Sequence, residues 1–138
     1  MSRSFALVTL AAALALGGLP LAAHHSFAAE YDGNAPIKIT GTLMKVDWVN
    51  PHSWIEINVK GPDGKVTTWR CETAPPNGLI RRGWTKSSFP IGQEVTVEGY
   101  KAKDGSNHMS ASNATINGKR MFTGSSGDGA PAREGDGK

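Results

Sequence analysis

The chain has 138 residues, of which 38% are hydrophobic and 20% charged, and its formal net charge is +3. These values suit one small soluble domain with short appendages. The basic residues alternate with acidic ones, and no concentrated basic face is evident, which argues against a nucleic-acid-binding protein.

The first 23 residues have the pattern of a cleaved secretory signal peptide. Arg3 precedes an apolar run over residues 5–16, a Gly-Gly-Leu-Pro break follows, and Ala23 supplies the small residue that a signal peptidase requires. The alternative is a membrane anchor, but the apolar run is shorter than the roughly 20 residues that span a bilayer. We therefore expect export to the periplasm or beyond, and no transmembrane segment after cleavage.

Residues 24–35 have little apolar periodicity and predict an extended N-terminal arm, whose Phe27 and Tyr31 would pack on the domain. Alternating apolar residues then predict five strands over residues 36–48, 53–60, 65–73, 93–101 and 107–117. The alternation in the first strand changes phase near Gly41, which indicates a bend at a glycine bulge.

A short helix is predicted over residues 78–84, between the third and fourth strands, with Asn77 as its cap and Leu79, Ile80 and Trp84 as its apolar face. Three strands, a helix and two strands are the order of an OB-fold, the five-stranded Greek-key barrel. We therefore predict an all-β, OB-fold-like barrel over residues 36–122, followed by a disordered, glycine-rich tail over residues 123–138.

The chain has a single cysteine, Cys71, so no disulfide can form within it. Cys71 alternates with Trp69 in the third strand, which predicts a buried thiol. A metal ligand and an intermolecular disulfide are the alternatives.

Cleavage after Ala23 would leave His24 and His25 at the new N-terminus. A terminal histidine offers both its amine and an imidazole nitrogen to one metal ion, an arrangement similar to the histidine brace of copper proteins. His52 and His108 are the remaining histidines, and Met109 is a soft ligand suited to Cu(I). Cleavage after Ala22 would place a histidine third and give a copper site of different geometry, and the simplest alternative is a solvated arm without a metal.

A second candidate site lies where the first two strands meet. Asn50-Pro51 marks a turn there, and His52 follows on the loop that borders the ligand face of an OB-fold. Alternation in the second strand predicts that Trp54, Glu56 and Asn58 lie on its outer face, where a tryptophan suits stacking on a sugar or on a partner's side chain. His52 as a hydrogen-bonded turn residue is the alternative.

Catalytic motifs are missing from the sequence. It has no Gly-x-Ser-x-Gly, no phosphate-binding glycine loop, no Cys-x-x-Cys and no His-Glu-x-x-His. We therefore expect a protein without enzymatic activity, although a copper oxygenase that uses the terminal histidine remains an alternative.

Several segments together resemble a family of small exported bacterial proteins known as domain of unknown function 6152. They are HHSFAAEYD at 24–32, WVNPH at 48–52, RRGW at 81–84 and GQEVTVEG at 92–99. The resemblance covers about residues 24–122, and it implies export and a shared small β-domain without indicating an activity.

The sequence thus predicts an exported binding module whose most concrete ligand is copper or another transition metal, held by His24, His25, His52 and His108. The alternative is a metal-independent periplasmic adaptor that binds a protein or an oligosaccharide through the face of Trp54, Glu56 and Asn58.

Overall fold

The computed structural model describes residues 27–124, which form an all-β domain with two short α-helices and one 3-10 helix. The elements in chain order are α1 (Phe27–Glu30), β1 (Tyr31–Asp47), β2 (Trp54–Lys60), β3 (Val66–Glu72), α2 (Pro76–Arg81), the 3-10 helix (Lys86–Ser88), β4 (Glu94–Ala102), β5 (His108–Ile116) and β6 (Lys119–Phe122). None of the helices in this part of the chain has the length and hydrophobicity needed to cross a bilayer.

The strands form one six-stranded sheet in the order β3-β2-β1-β4-β5-β6. Neighbouring strands in this order are antiparallel. In addition, β3 pairs with β5 in parallel, with Arg70 opposite His108 and Glu72 opposite Ser110. Five strands were predicted, and the described residues contain six, because the chain turns at Asn117-Gly118 and returns as β6 along β5.

The first strand is long enough to serve two neighbours. Its N-terminal part pairs with β4, and its C-terminal part, from Thr42 onward, pairs with β2. The register shift lies between Leu43 and Lys45, so the bulge is at Met44 and not at Gly41 as predicted. Gly41 has a different role, since a Cβ at this position would lie 2.3 Å from the carbonyl oxygen of Asn58.

The main hydrophobic core contains Leu43, Ile55, Ile57, Cys71, Leu79, Trp84, Val97 and Met109 among others. Cys71 is fully buried, as predicted. A smaller cluster joins Phe27 and Tyr31 to Tyr100 and Ala102, which confirms that these two aromatic rings pack on the domain.

Three sequence-based boundaries differ from the structure. The α2 helix begins at Pro76, and no side chain caps it, so Asn77 is not its cap. Ile80, which was predicted to lie on the apolar face of this helix, is 55% exposed. Strand β1 begins at Tyr31, inside the predicted arm. Thr123, assigned to the tail, is fully buried. Its carbonyl oxygen accepts a hydrogen bond from the backbone N–H of Ala74, and its own N–H donates to the carbonyl oxygen of Ser112.

The predicted signal peptide, the histidines His24 and His25, and residues 125–138 of the predicted tail lie outside the described residues.

Candidate functional site

The β1–β2 corner brings His52 against the end of β3. The Asn50–Pro51 peptide is cis, and the backbone N–H of Ser53 donates to the carbonyl oxygen of Ala74, which ties the corner to the segment after β3. Nδ1 of His52 lies 3.0 Å from Oε1 of Glu72, and the side chains are 31% and 15% exposed. A carboxylate only accepts hydrogen bonds, so Nδ1 carries the proton in this contact. When the imidazole is neutral, the other ring nitrogen, Nε2, carries the lone pair.

Glu72 has a second partner on its other oxygen. The hydroxyl of Tyr31 donates a hydrogen bond to Oε2 of Glu72. Burial of Tyr31, and next its hydrogen bond to Glu72, raise the pKa of the tyrosine hydroxyl above its ordinary value. Tyr31 therefore stays protonated and remains a donor across the physiological pH range.

The second described histidine lies on the other side of Tyr31. The rings of His108 and Tyr31 form a T-shaped pair, with ring centroids 5.9 Å apart and an interplanar angle of 69°. His108 also stacks on Trp54 at 5.0 Å and 25°. Nε2 of His108 is buried and has no hydrogen-bond partner among residues 27–124. Spacing alone left open whether the two histidines meet; in the structure the Tyr31–Glu72 pair connects them.

We call these five side chains, His52, Glu72, Tyr31, His108 and Trp54, the histidine–aromatic cluster. A surface pocket of about 420 Å³ opens beside it, and the lining residues include Ala29, Tyr31, Lys103, Asp104 and His108. Among residues 27–124, no group of three or more His, Cys, Asp or Glu side chains is arranged so that it could hold a metal ion.

The predicted face of Trp54, Glu56 and Asn58 runs along β2 as a row of cross-strand pairs with β3. Trp54 is opposite Glu72, Glu56 opposite Arg70 and Asn58 opposite Thr68. The guanidinium of Arg70 lies 4.4 Å from the Trp54 ring centroid and 3.9 Å from the Glu56 carboxylate. Asn58 accepts a hydrogen bond of 2.8 Å from the Thr68 hydroxyl. Only Trp54 of these three belongs to the histidine–aromatic cluster.

The sequence reasoning identified the two histidines and Trp54 but missed Tyr31 and Glu72. A signal for Glu72 was present, because the Gly61-Pro62-Asp63-Gly64 turn sets the hairpin register that puts Glu72 opposite Trp54. No pattern in the sequence indicated that Tyr31 would contact His108 or Glu72. Met109, considered as a Cu(I) ligand, is fully buried in the main core beside Cys71.

Comparison with known proteins agrees with the resemblance noted in the sequence. Residues 12–111 match the model of a family of unknown function (DUF6152). A search of curated proteins finds no match. Because the family match spans well over half of the chain, this protein belongs to the DUF6152 family.

Proposed function

We propose that this protein is an exported, non-enzymatic binding module that holds copper or another transition metal. His52 and His108 would supply ligands from the domain, and His24 and His25 would supply them from the mature N-terminus. The observation that carries the proposal is the 3.0 Å contact between Nδ1 of His52 and the Glu72 carboxylate.

That contact is the arrangement in which proteins present a histidine to a metal. A ligating imidazole usually donates its second ring N–H to a carboxylate, which selects the tautomer and increases the basicity of the ligating nitrogen. With Nδ1–H directed at Glu72, Nε2 of His52 has a lone pair available for a metal ion.

His108 supports the proposal independently. Its Nε2 is buried without a hydrogen-bond partner in the described chain. An imidazole nitrogen without a partner loses the hydrogen bonds that it would make in water, and a metal ion or a donor would restore that interaction.

The terminal histidines are close in sequence to this cluster. The Phe27 ring packs on Tyr31 with centroids 5.6 Å apart, and His24 is separated from Phe27 by His25 and Ser26. Three residues reach roughly 10 Å when extended, so a terminal amine and imidazole at His24 are within chain reach of the cluster. These nitrogens and the two domain imidazoles form a donor set typical of Cu(II).

The proposal includes export and cleavage of the signal after Ala23, because only cleavage creates the terminal amine. The periplasm or the extracellular space is then the location.

For the fold, we propose an OB-fold-like barrel to which β6 is added. The strand order β3-β2-β1-β4-β5, the parallel pairing of β3 with β5, and a helix between β3 and β4 support this assignment. The cluster then lies beside the ligand face that OB-folds use.

The test begins with protein exported with its own signal, whose N-terminus is determined by mass spectrometry. Titration with Cu(II), followed by electron paramagnetic resonance, should give one nitrogen-rich site. His52→Ala and His108→Ala should each weaken it at least tenfold. Glu56→Gln, on the same face of β2, is the matched control and should leave the site unchanged. Weak copper binding that is indifferent to His52 would contradict the proposal.

The metal-independent adaptor is the second candidate. Trp54 is half-buried and in contact with Arg70, so a sugar ring or a partner's apolar side chain would replace Arg70 on the indole. Trp54→Ala, with Glu56 and Asn58 substitutions beside it, should then abolish partner binding while His24→Ala does not. A copper oxygenase would instead form peroxide from oxygen when copper and a reductant are supplied, and no peroxide would count against it.

A further inference from the structure

Tyr31 is in contact with both halves of the histidine–aromatic cluster. Its hydroxyl donates to Oε2 of Glu72, whose Oε1 faces His52, and its ring makes a T-shaped contact with His108. The residue is only 4% exposed although it is among the first residues of the described chain. From these contacts we propose that Tyr31 is a positioning residue, which orients both His52 and His108 for a transition-metal ion. This inference depends on the metal-binding function proposed above.

Tyr31 restricts the orientation of the Glu72 carboxylate. The terminal torsion of a glutamate side chain is broad and has no sharply preferred value, so one hydrogen bond leaves the carboxylate plane poorly determined. The Tyr31 hydroxyl on one oxygen and the His52 Nδ1 on the other restrict that plane from two sides. Without the hydroxyl, Glu72 can rotate, and His52 loses the fixed acceptor that selects its tautomer.

Tyr31 also restricts His108. The imidazole is held between a stacked Trp54 and a T-shaped contact with Tyr31, at centroid distances of 5.0 and 5.9 Å. Ring pairs of these two kinds are favourable and have preferred geometries. The Tyr31 ring therefore restricts rotation of the His108 ring, which determines the direction of Nε2.

Tyr31 can orient other groups because its own backbone is well anchored. It is paired with Ala102 of β4, and the neighbouring Glu30 carbonyl accepts a 2.9 Å hydrogen bond from the backbone N–H of Lys103. Nζ of Lys103 donates to the carbonyl oxygen of Ala28 at 2.5 Å. The junction of α1 and β1 is thus attached to the end of β4.

Nuclear magnetic resonance of the metal-free protein tests this inference without copper. At about pH 8, above the ordinary histidine pKa of roughly 6.5, the nitrogen shifts of a neutral imidazole report which nitrogen carries the proton. In the natural protein His52 should be protonated on Nδ1. Tyr31→Phe, which keeps the ring and deletes the hydroxyl, should shift His52 toward a mixture of tautomers.

Two further variants complete the experiment. Tyr100→Phe is the matched control, because Tyr100 packs on the same Phe27 ring at 5.4 Å, and it should leave the His52 tautomer unchanged. Glu72→Gln removes the charged acceptor and should reproduce the effect of Tyr31→Phe, which provides a second measurement if one variant folds poorly. An unchanged His52 tautomer in both Tyr31→Phe and Glu72→Gln would overturn the inference.

Copper titration of the same variants separates this inference from the proposed function. Tyr31→Phe should weaken Cu(II) binding about tenfold, the usual effect of removing a group that supports a ligand. If the natural protein binds no copper, the proposed function fails, and the positioning role for a metal fails with it, even if the tautomer depends on Tyr31. If the natural protein binds copper and Tyr31→Phe binds it equally well, only the positioning role fails.

Discussion

Trp54 and His108 stack with ring centroids 5.0 Å apart and an interplanar angle of 25°, although they belong to strands that are not neighbours. Trp54 begins β2 and His108 begins β5, and β3 pairs with both strands. The stacked rings therefore cross the end of β3, where Glu72 is the pairing partner of Trp54 and Arg70 is the pairing partner of His108. Any change in the closure of β3 against β5 alters the position of His108 relative to Trp54.

Replacing Trp54 should destabilise the domain measurably. Trp54→Ala removes the stack on His108 and the contact with the Arg70 guanidinium, and we expect a loss of about 2 kcal/mol because the indole is half-buried. Urea denaturation should show a lower midpoint with an unchanged m value. Trp54→Phe keeps an aromatic ring and should recover at least half of the loss; an unaltered midpoint in Trp54→Ala would show that the stack contributes nothing.

Two glycines should be intolerant of a methyl group for a steric reason. A Cβ on Gly41 would lie 2.3 Å from the Asn58 carbonyl oxygen, and one on Gly99 would lie 1.8 Å from that of Ser110. Both obstacles are backbone atoms of the adjoining strand, which cannot move without breaking the pairing. We expect Gly41→Ala and Gly99→Ala to cost about 3 kcal/mol or more, measured by thermal or urea unfolding.

Gly64 provides the control for those two substitutions. Its φ is +80°, and no atom lies within 4 Å of a Cβ built there. Gly64→Ala should therefore cost only the backbone strain of a left-handed alanine, about 1–2 kcal/mol. Equal losses at all three positions would contradict the steric explanation.

Cys71 should make the domain less stable at high pH. Burial of the thiol raises its pKa well above the ordinary value of 9.0. Above about pH 9 the unfolded chain therefore releases a proton that the folded chain retains, and the free energy of unfolding falls as pH rises, by up to about 1.4 kcal/mol per pH unit. Cys71→Ala should reduce this slope between pH 8 and about pH 10. Equal slopes in the two proteins would mean that Cys71 ionises normally in the fold.

The same burial predicts low reactivity. A thiol reagent should modify Cys71 in native protein only at the rate of unfolding, and in denaturant it should do so at once. Rapid labelling of folded protein would contradict the fully buried position of this side chain.

Blocking the mature N-terminus should abolish tight copper binding. A residue retained before His24 converts the terminal amine into an amide, which removes one nitrogen ligand from the proposed set. We expect at least a hundredfold loss of Cu(II) affinity in protein that starts with an added methionine. Protein with an extension at Lys138 is the control and should bind as the natural protein does. Undiminished affinity in the blocked protein would assign any copper to the domain histidines alone.

Local sequence pattern predicted much of the fold. Alternation predicted that Ile55 and Ile57 lie in the core, and both are buried. A glycine was also predicted to end the helix, and Gly83, with a φ of +84°, follows α2. The errors lie where tertiary contacts overrode local preference. Tyr31 extends β1 into the predicted arm because β4 continues to Ala102 and pairs with it. The return strand β6 has only four residues, too short for periodicity to reveal.

The sequence by itself determined which residues can bind a ligand: it contains four histidines, two of them adjacent at residues 24 and 25, and a tryptophan beside a third. These are chemical properties of the side chains and do not depend on the fold. The tertiary structure decided which of them are neighbours. His52, Glu72, Tyr31 and His108 are connected by the β1–β2 corner, the end of β3, the start of β1 and the start of β5. Contacts between residues so distant along the chain depend on strand order and closure, which arise only when the whole core packs.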